Sequence, residues 1–531
     1  MSKLFYKEVE EKVKSWERNI FILAFVEGLL LMSVELLGSR FLTPYFGSTL
    51  YVITSILGIT LLSLLTGYFI GSELVLRKVK VPTAFIALMV ASCYLCVSPL
   101  IGAKIGAIGL SWGMITGCIF GSLLLLFIPI VLLGLISPIL VQAMNEAGLV
   151  AGTSAGRIYT ISTIGGFVGT FLTGLYLIPT FGTKMTALMI GCASFIFPAY
   201  LLTILGFKKG NLYFLVFMLV LLSVLGISSK PLPSPVNSKV LYQSDDVLGF
   251  LQVLEYPNGS RVLKSNRTNQ SVIDFQSGVS YLLYTHAIAS IVTGTITDKN
   301  ANILLIGMAG GSLVREFVNA GYKNITVLDN DRRMNYIAEN YFGVTPGSYS
   351  FLEEDGRKYL NSSHKKFDLI VLDVSNAEQQ PYHLFTKEAF QSIAKSLSEN
   401  GIVIVNLVDF LEESKATITK RVLAGMNFAN LNPIYFKDFY KPNSIPTTEL
   451  DYFAHEKILL GCKSAIAMDQ DTTTLNECCS WMPFAVNLRK NYKNSTQTLS
   501  FTNHLPFNDD TPDMEVLSFE RSNLLRTSFL K

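Results

Sequence analysis

Charge is scarce in this chain: 16% of its 531 residues are Asp, Glu, Lys or Arg, while 50% are hydrophobic. Soluble domains carry about 25% charge, so the shortage excludes a wholly soluble enzyme of ordinary composition. The balance of signs excludes more. A formal net charge of +3, with no arginine-rich face and no zinc-finger spacing, leaves no nucleic-acid footprint, and no nucleic acid is expected as a partner. The seven cysteines show no repeated spacing: Cys93, Cys96, Cys118 and Cys192 sit in apolar segments, and Cys462, Cys478 and Cys479 follow later. An odd count without pattern argues against a disulfide framework, and without metal-ligand spacing no metal is expected. No cleavable signal peptide is expected either. The first apolar stretch is too long, contains acids and is followed by no small-residue cleavage site, so it is read as structure.

What the chain does have is hydrophobic length. A membrane span needs about 20 mostly apolar residues, and such windows lie at 19–37, 51–74, 82–101, 116–144, 158–179, 185–205 and 212–227. They predict an all-α transmembrane domain over residues 1–229 with about seven spans, in a multi-pass protein of the cell membrane whose partner is the lipid bilayer. The basic residues Lys3, Lys7, Lys12, Lys14 and Arg18 precede the first span, Arg77, Lys78 and Lys80 follow the second, and Lys208 and Lys209 follow the sixth. The positive-inside rule then puts the N-terminus in the cytoplasm. Seven spans would leave the C-terminal half outside, and one further span within 101–117 would reverse that, so both sides stay open. Glu27 and Glu35 share one face of the first span. Carboxylates at that depth are read either as groups buried against Arg40 or another polar residue, or as ligands on a cation or polyamine path. Gly165, Gly166, Gly169 and Gly174 are read as sites of close helix packing.

Beyond residue 230 the pattern changes. Residues 240–263 alternate, "VLYQSDDVLGFLQVLEYPNGSRVL", around an Asn-Gly turn at Asn258 and Gly259, which predicts a small antiparallel sheet within a linking subdomain at 230–290. The helix "SYLLYTHAIASIV" follows. From 291 to 531 strands alternate with helices, the strands at 303–306, 325–328, 350–352, 369–372 and 402–406, predicting a parallel α/β sheet covered on both faces. Ligands of such sheets bind at the carboxyl ends of the strands. There the chain has the loop Gly307, Met308, Ala309, Gly310, Gly311, Ser312 after the first strand, Asp329 after the second, Asp355 after the third and Asp373 after the fourth. Glycines let backbone amides approach a ligand at a helix N-terminus. An acid about 20 residues on accepts hydrogen bonds from ribose hydroxyls, which is the role read for Asp329. Asp355 is placed to take an adenine amino group. The loop does not have the G-x-G-x-x-G spacing of dinucleotide sites, and the four strand ends together point to an adenosyl-type ligand.

The order of these motifs, with "VLDNDRRMNYIAENYF" and "DGRKYL", resembles the spermidine synthase family, which has the Rossmann-like fold of class I methyltransferases. The blocks "ELLGSRFLTPYFGSTLYV", "AGRIYTISTIGGFVGTFLTGLYLIPTFGT", "PYHLFTKEAF" and "DDTPDME" look like its membrane-fused branch. The resemblance implies that Gly307, Gly310 and Gly311 form the cofactor loop, Asp329 the ribose acid, Asp355 with Gly356 the adenine pair, and Asp373 the first acid of the catalytic loop. Two residues depart from it. Gly310 stands where soluble members carry an Asp that holds the aminopropyl group, and "DVSN" ends in Asn376 where they carry a second acid, the general base. Asp373 or His383 is then expected to take the proton, with Glu353, Glu354, Glu378, Asp509 and Asp510 available to hold a dicationic amine.

The activity this implies is an aminopropyltransferase of polyamine biosynthesis. It uses decarboxylated S-adenosylmethionine as co-substrate and putrescine as diamine acceptor, giving spermidine and methylthioadenosine without a metal, with a homodimer as a candidate assembly. The alternatives are a polyamine or nucleoside transporter or sensor with an altered site, favoured by Asn376, Glu27 and Glu35, and an S-adenosylmethionine-dependent methyltransferase.

Overall fold

The computed structural model describes residues 2–46, 50–110, 112–147, 150–204, 238–246, 248–266, 268–374, 380–410, 415–436, 454–463, 501, 504–510, 514 and 517–518. The chain divides into two compact units, Met1–Ser234 with Ser244–Phe250, and Pro235–Gln243 with Leu251–Lys531.

The first unit is helical among its described residues 2–204: α1 (Ser2–Phe46), α2 (Leu50–Leu76), α3 (Pro82–Leu110), α4 (Met114–Gly134), α5 (Ile136–Glu146), α6 (Ala151–Phe171), a π-helical turn (Leu172–Leu177) and α7 (Ile178–Ile204). Among the described residues five stretches are long and apolar enough to cross a membrane: Trp16–Thr43, Tyr51–Leu76, Pro82–Gly102, Ile115–Glu146 and Ala151–Thr203. The last holds both windows expected at 158–179 and 185–205. Gly182, at φ 76° and ψ 164°, breaks it. The window 212–227 lies outside the described residues, and 101–117 forms the end of α3 and the start of α4 rather than a helix of its own.

Small residues let α1 and α6 touch backbone to backbone. A side chain on Gly28 or Gly165 would collide with the carbonyl oxygens of Ser162 and Phe25, and one on Gly169 would come within 2.6 Å of the Leu29 oxygen. A Cβ on Gly166 would lie 2.9 Å from Met32, so three of the four glycines expected to pack do so closely; one on Gly174 would come no nearer than 3.8 Å, to Leu36. In this seam Glu27 is buried and accepts a 2.6 Å hydrogen bond from the Ser162 hydroxyl. Ser162 is thus the polar partner of Glu27.

Among the described residues from 239 onward the strands form two sheets. The smaller has four strands in chain order, β1 (Lys239–Asp246), β2 (Gly249–Glu255), β3 (Ser260–Ser265) and β4 (Thr268–Asp274). The β2–β3 and β3–β4 pairs are antiparallel. Gly259, at φ 82°, makes the Asn-Gly turn, and β4 carries the sheet past the expected end at Leu263. The larger sheet has seven strands: β5 (Asn302–Ile306), β6 (Asn324–Asp329), β7 (Ser350–Glu353), β8 (Phe367–Leu372), β9 (Leu397–Phe410), β10 (Ile434–Phe436) and β11 (Ala454–Cys462). Their order is β10-β11-β9-β8-β5-β6-β7. β5 to β9 pair in parallel, whereas β11 runs antiparallel to both β9 and β10.

Alternation along β5 divides the core. Ile303 and Leu305 join one cluster with Val327, Val371 and Phe317. Leu304 and Ile306 join another with Ile370, Leu372 and Phe390. Both faces of the sheet are therefore covered, and the five parallel strands stand where the alternating pattern predicts them, with their carboxyl ends at a common edge. β10 and β11 are additions to that expectation. The first is only three residues long, and the second opens on polar residues before its apolar run.

Candidate active site

The chain leaves β5 through residues 307–311 and enters the helix Ser312–Asn319. Gly307 (φ 95°), Ala309 (φ 46°) and Gly311 (φ 74°) adopt left-handed conformations. A side chain at 307 would collide with the Asp373 carbonyl oxygen, and a Cβ at 311 would lie 2.6 Å from Val344. Gly310 is held differently. Its N–H donates to the Ser271 hydroxyl of β4 at 2.9 Å, and a Cβ there would lie 2.8 Å from Ser271 and 3.0 Å from the Phe342 ring.

Asp329 ends β6 and closes on this loop. Its carboxylate accepts the N–H of Met308 at 2.9 Å and that of Asp331 at 2.9 Å. Burial nevertheless pushes its pKa up to about 6. Asp355 caps the helix Gly356–Ser362 by accepting the Lys358 N–H at 2.9 Å, and its other oxygen lies 2.9 Å from His383 Nε2. Burial acts to raise this carboxyl, but the Lys358 N–H and the histidine outweigh it and hold it below the ordinary aspartate value. Gly356 is buried, a Cβ there coming within 2.5 Å of Ile306.

Asp373 follows β8. It accepts a 3.1 Å hydrogen bond from the Tyr284 hydroxyl and a 2.9 Å bond from the Asn406 amide. Burial raises its pKa against both donors. Neither donor is among the residues picked out from sequence. Tyr284 opens the helix Leu283–Thr295, which the pattern predicts without singling out the tyrosine. Asn406 lies on β9, beside the strand that delivers Asp373.

The remaining candidates are spread out. His383, in the short 3-10 turn Tyr382–Leu384, pairs with Asp355. Asp509 accepts from Arg357 at 3.0 Å and from the Thr386 hydroxyl at 2.6 Å, so its carboxylate ties residues 504–510 to the segment just after Gly356. Asp510 is exposed and its N–H donates to Asn508. Glu354 pairs with Lys358 at 2.9 Å, and Glu353 is exposed. Asn376 and Glu378 lie outside the described residues. Among the described residues no group of three or more His, Cys, Asp or Glu is arranged to hold a metal ion.

A parallel sheet with its glycine turn after the first strand and acids after the next three defines a Rossmann-like α/β domain. Residues 281–437 match the family described as Spermine/spermidine synthase domain, and the C-terminal region of the chain carries that domain. Among curated relatives, the probable polyamine aminopropyl transferase of Bifidobacterium longum is 26% identical over 174 residues, covering 32% of this chain and 38% of that one. Polyamine aminopropyltransferase 1 of Aquifex aeolicus is 26% identical over 173 residues, covering 32% and 60%. The match thus spans less than two thirds of either relative. A solved structure of a probable spermidine synthase from Corynebacterium glutamicum aligns with a TM-score of 0.40 and 16% identity, over 52% of this chain and 97% of that one.

Proposed function

We propose that the chain is a membrane-bound aminopropyltransferase that moves the aminopropyl group of decarboxylated S-adenosylmethionine to putrescine, giving spermidine and methylthioadenosine. The observation that carries this reading is Asp373, a half-buried residue at a strand end, its carboxyl oriented by Tyr284 and Asn406 and its backbone carbonyl set against Gly307 of the turn. In the reaction the neutral amine nitrogen attacks the aminopropyl carbon next to the sulfonium. The new N–C bond forms as the C–S bond breaks, its electrons remain on sulfur, and the surplus proton of the nitrogen passes to Asp373. A carboxyl raised by burial is a better base than an exposed one, which suits Asp373 to the task that Asn376 cannot perform.

The left-handed turn through Gly307, Ala309 and Gly311 fits a loop that offers its backbone to a ligand, and Asp329, already drawn onto that loop, is assigned to the ribose. Asp355 with Gly356 is assigned to the adenine end. Asp509 and Asp510, with Glu378, are assigned to the far end of the diamine, Asp509 through its hold on Arg357. The five apolar helical stretches support a multi-pass membrane location, with residues 1–229 as the membrane domain. The test is to supply the purified full chain with decarboxylated S-adenosylmethionine and a series of diamines and to measure methylthioadenosine. Protein that binds methylthioadenosine but transfers to no diamine refutes the proposal.

A second reading rests on Glu27, 2% exposed and hydrogen-bonded to Ser162: a transporter or sensor whose synthase-like domain binds ligand without turnover. Uptake of polyamine into vesicles, abolished by Glu27→Gln, would favour it over the enzyme.

A further inference from the structure

His286 lies 2% exposed on the helix Leu283–Thr295, two residues after Tyr284. Both of its ring nitrogens face acceptors: Nε2 is 2.9 Å from the Ser280 carbonyl oxygen, and Nδ1 is 3.2 Å from the Glu316 carboxylate. A neutral imidazole has one N–H and would set a lone pair against one of these oxygens, whereas the imidazolium serves both. Glu316 belongs to the helix Ser312–Asn319 that follows the glycine turn, and Ser280 bridges to Ile273 of β4. The ring therefore joins the helix that presents Tyr284 to the helix that presents the glycine loop.

Ionisable groups on the elements around its helix make hydrogen bonds of their own. Arg315 donates to the carbonyl oxygens of Phe342 and Ser277, Tyr322 to those of Val292 and Ile296, and Lys457 of β11 to the Tyr435 hydroxyl. Tyr284 itself is turned to Asp373. Glu316 is a charged partner of His286.

We propose that His286 is a positioning residue: held as an imidazolium between Ser280 and Glu316, it fixes the helix of Tyr284 against the glycine-loop helix and so keeps the Tyr284 hydroxyl on Asp373. The inference rests on the aminopropyltransferase reading for its effect on rate, though not for the charge of the ring.

Two measurements on the full-length protein test it. Nitrogen NMR of histidine-labelled protein at pH 7.5 is expected to show His286 protonated on both nitrogens, and Glu316→Gln is expected to remove that signature; a neutral ring in the wild type overturns the clamp whatever the activity. For the rate, His286→Gln and Tyr284→Phe are each expected to lower kcat about tenfold, the scale of a small misplacement of a reacting group, while methylthioadenosine affinity changes less than twofold. If His286 acts through Tyr284, the double variant is no slower than the worse single one. Losses that multiply, with the thermal transition unchanged, refute action through Tyr284. A wild type without transfer sinks the functional reading and leaves the charge of the ring to decide the clamp.

Discussion

Restoring an acid to the glycine loop tests whether the departure at position 310 is a local change or part of a rebuilt wall. In the fold described here Gly310→Asp should not create a better enzyme. Gly310 is buried and its backbone is of ordinary handedness, so the obstacle is steric: the first added carbon lies 2.8 Å from both Cβ and Oγ of Ser271 and 3.0 Å from the Phe342 ring. Ser271 is itself 3% exposed and holds the Gly310 N–H, so it cannot swing away without leaving that donor unmatched. Overpacking of this kind costs about 1–3 kcal/mol, and desolvating the new carboxyl adds about 1–3 kcal/mol. A total near 4 kcal/mol would lower the transition of the C-terminal domain by roughly 10 °C. The assay is a melt of the full chain with and without methylthioadenosine, beside the transfer rate. Gly310→Asp with Ser271→Gly should recover less than half of the loss, since it removes the nearest contact but leaves the new charge buried and takes from the Gly310 N–H its acceptor. A single variant that melts with the wild type and transfers faster would refute the argument, because the space for the acid would then exist.

Three further outcomes are expected. Asp373→Asn should lower aminopropyl transfer by about 100-fold or more while methylthioadenosine affinity, read by calorimetry, stays within a few-fold; equal losses in both would mean that Asp373 holds cofactor rather than amine. Asp329 has a folded-state pKa raised by burial from the ordinary 3.8 to about 6, so its contribution favours the folded state below pH 4 and is lost as pH rises through 6, an effect of at most about 3 kcal/mol. The stability of Asp329→Asn relative to wild type, measured by denaturant titration, should therefore improve between pH 4.5 and pH 7.5, and a difference that is flat with pH would contradict the assigned burial. In the helical unit, Gly165→Val should disrupt the α1–α6 seam, where a side chain runs into the Phe25 carbonyl oxygen, and lower the melting temperature in detergent, whereas Gly174→Val, with only Leu36 at 3.8 Å, should be tolerated.

The legible parts of the fold were those with strong periodicity. β5, β6 and β8 are near-continuous apolar runs because both faces of the sheet are covered, and the glycine loop after the first and the acids that close the other two mark the strand ends without ambiguity. β10 is not legible because three residues carry no period, and β11 is not because its run begins in "AHEK", which reads as surface although Lys457 is buried against Tyr435. Site residues were legible when their chemistry was rare in its surroundings, as an Asp is at the end of "DLIVL". Tyr284 and Asn406 were not, since a tyrosine in an apolar helix and an asparagine on a strand look like ordinary core and edge positions until the fold brings them to Asp373. Spacing could not show that His383 pairs with Asp355, or Asp509 with Arg357, because those contacts join segments 28 and 152 residues apart.

The three strand-end acids then differ in what they can do, although they look alike in sequence. Asp355 is held below its ordinary value by the Lys358 N–H and His383 against the opposing effect of burial; it stays charged, accepts hydrogen bonds and makes a poor base. Asp329 is raised, but two backbone N–H groups lie along its oxygens, which fixes it as an acceptor bound to the loop it closes. Asp373 is raised by burial and contacted by two side-chain donors, one of which, the Tyr284 hydroxyl, can rotate its proton away or pass it on. Only there do a raised affinity for a proton and a mobile hydrogen-bond partner coincide. For the proposed transfer this makes Asp373 the place where the amine's proton goes, and it makes the anchoring of Tyr284, rather than the identity of residue 376, the feature on which the rate depends.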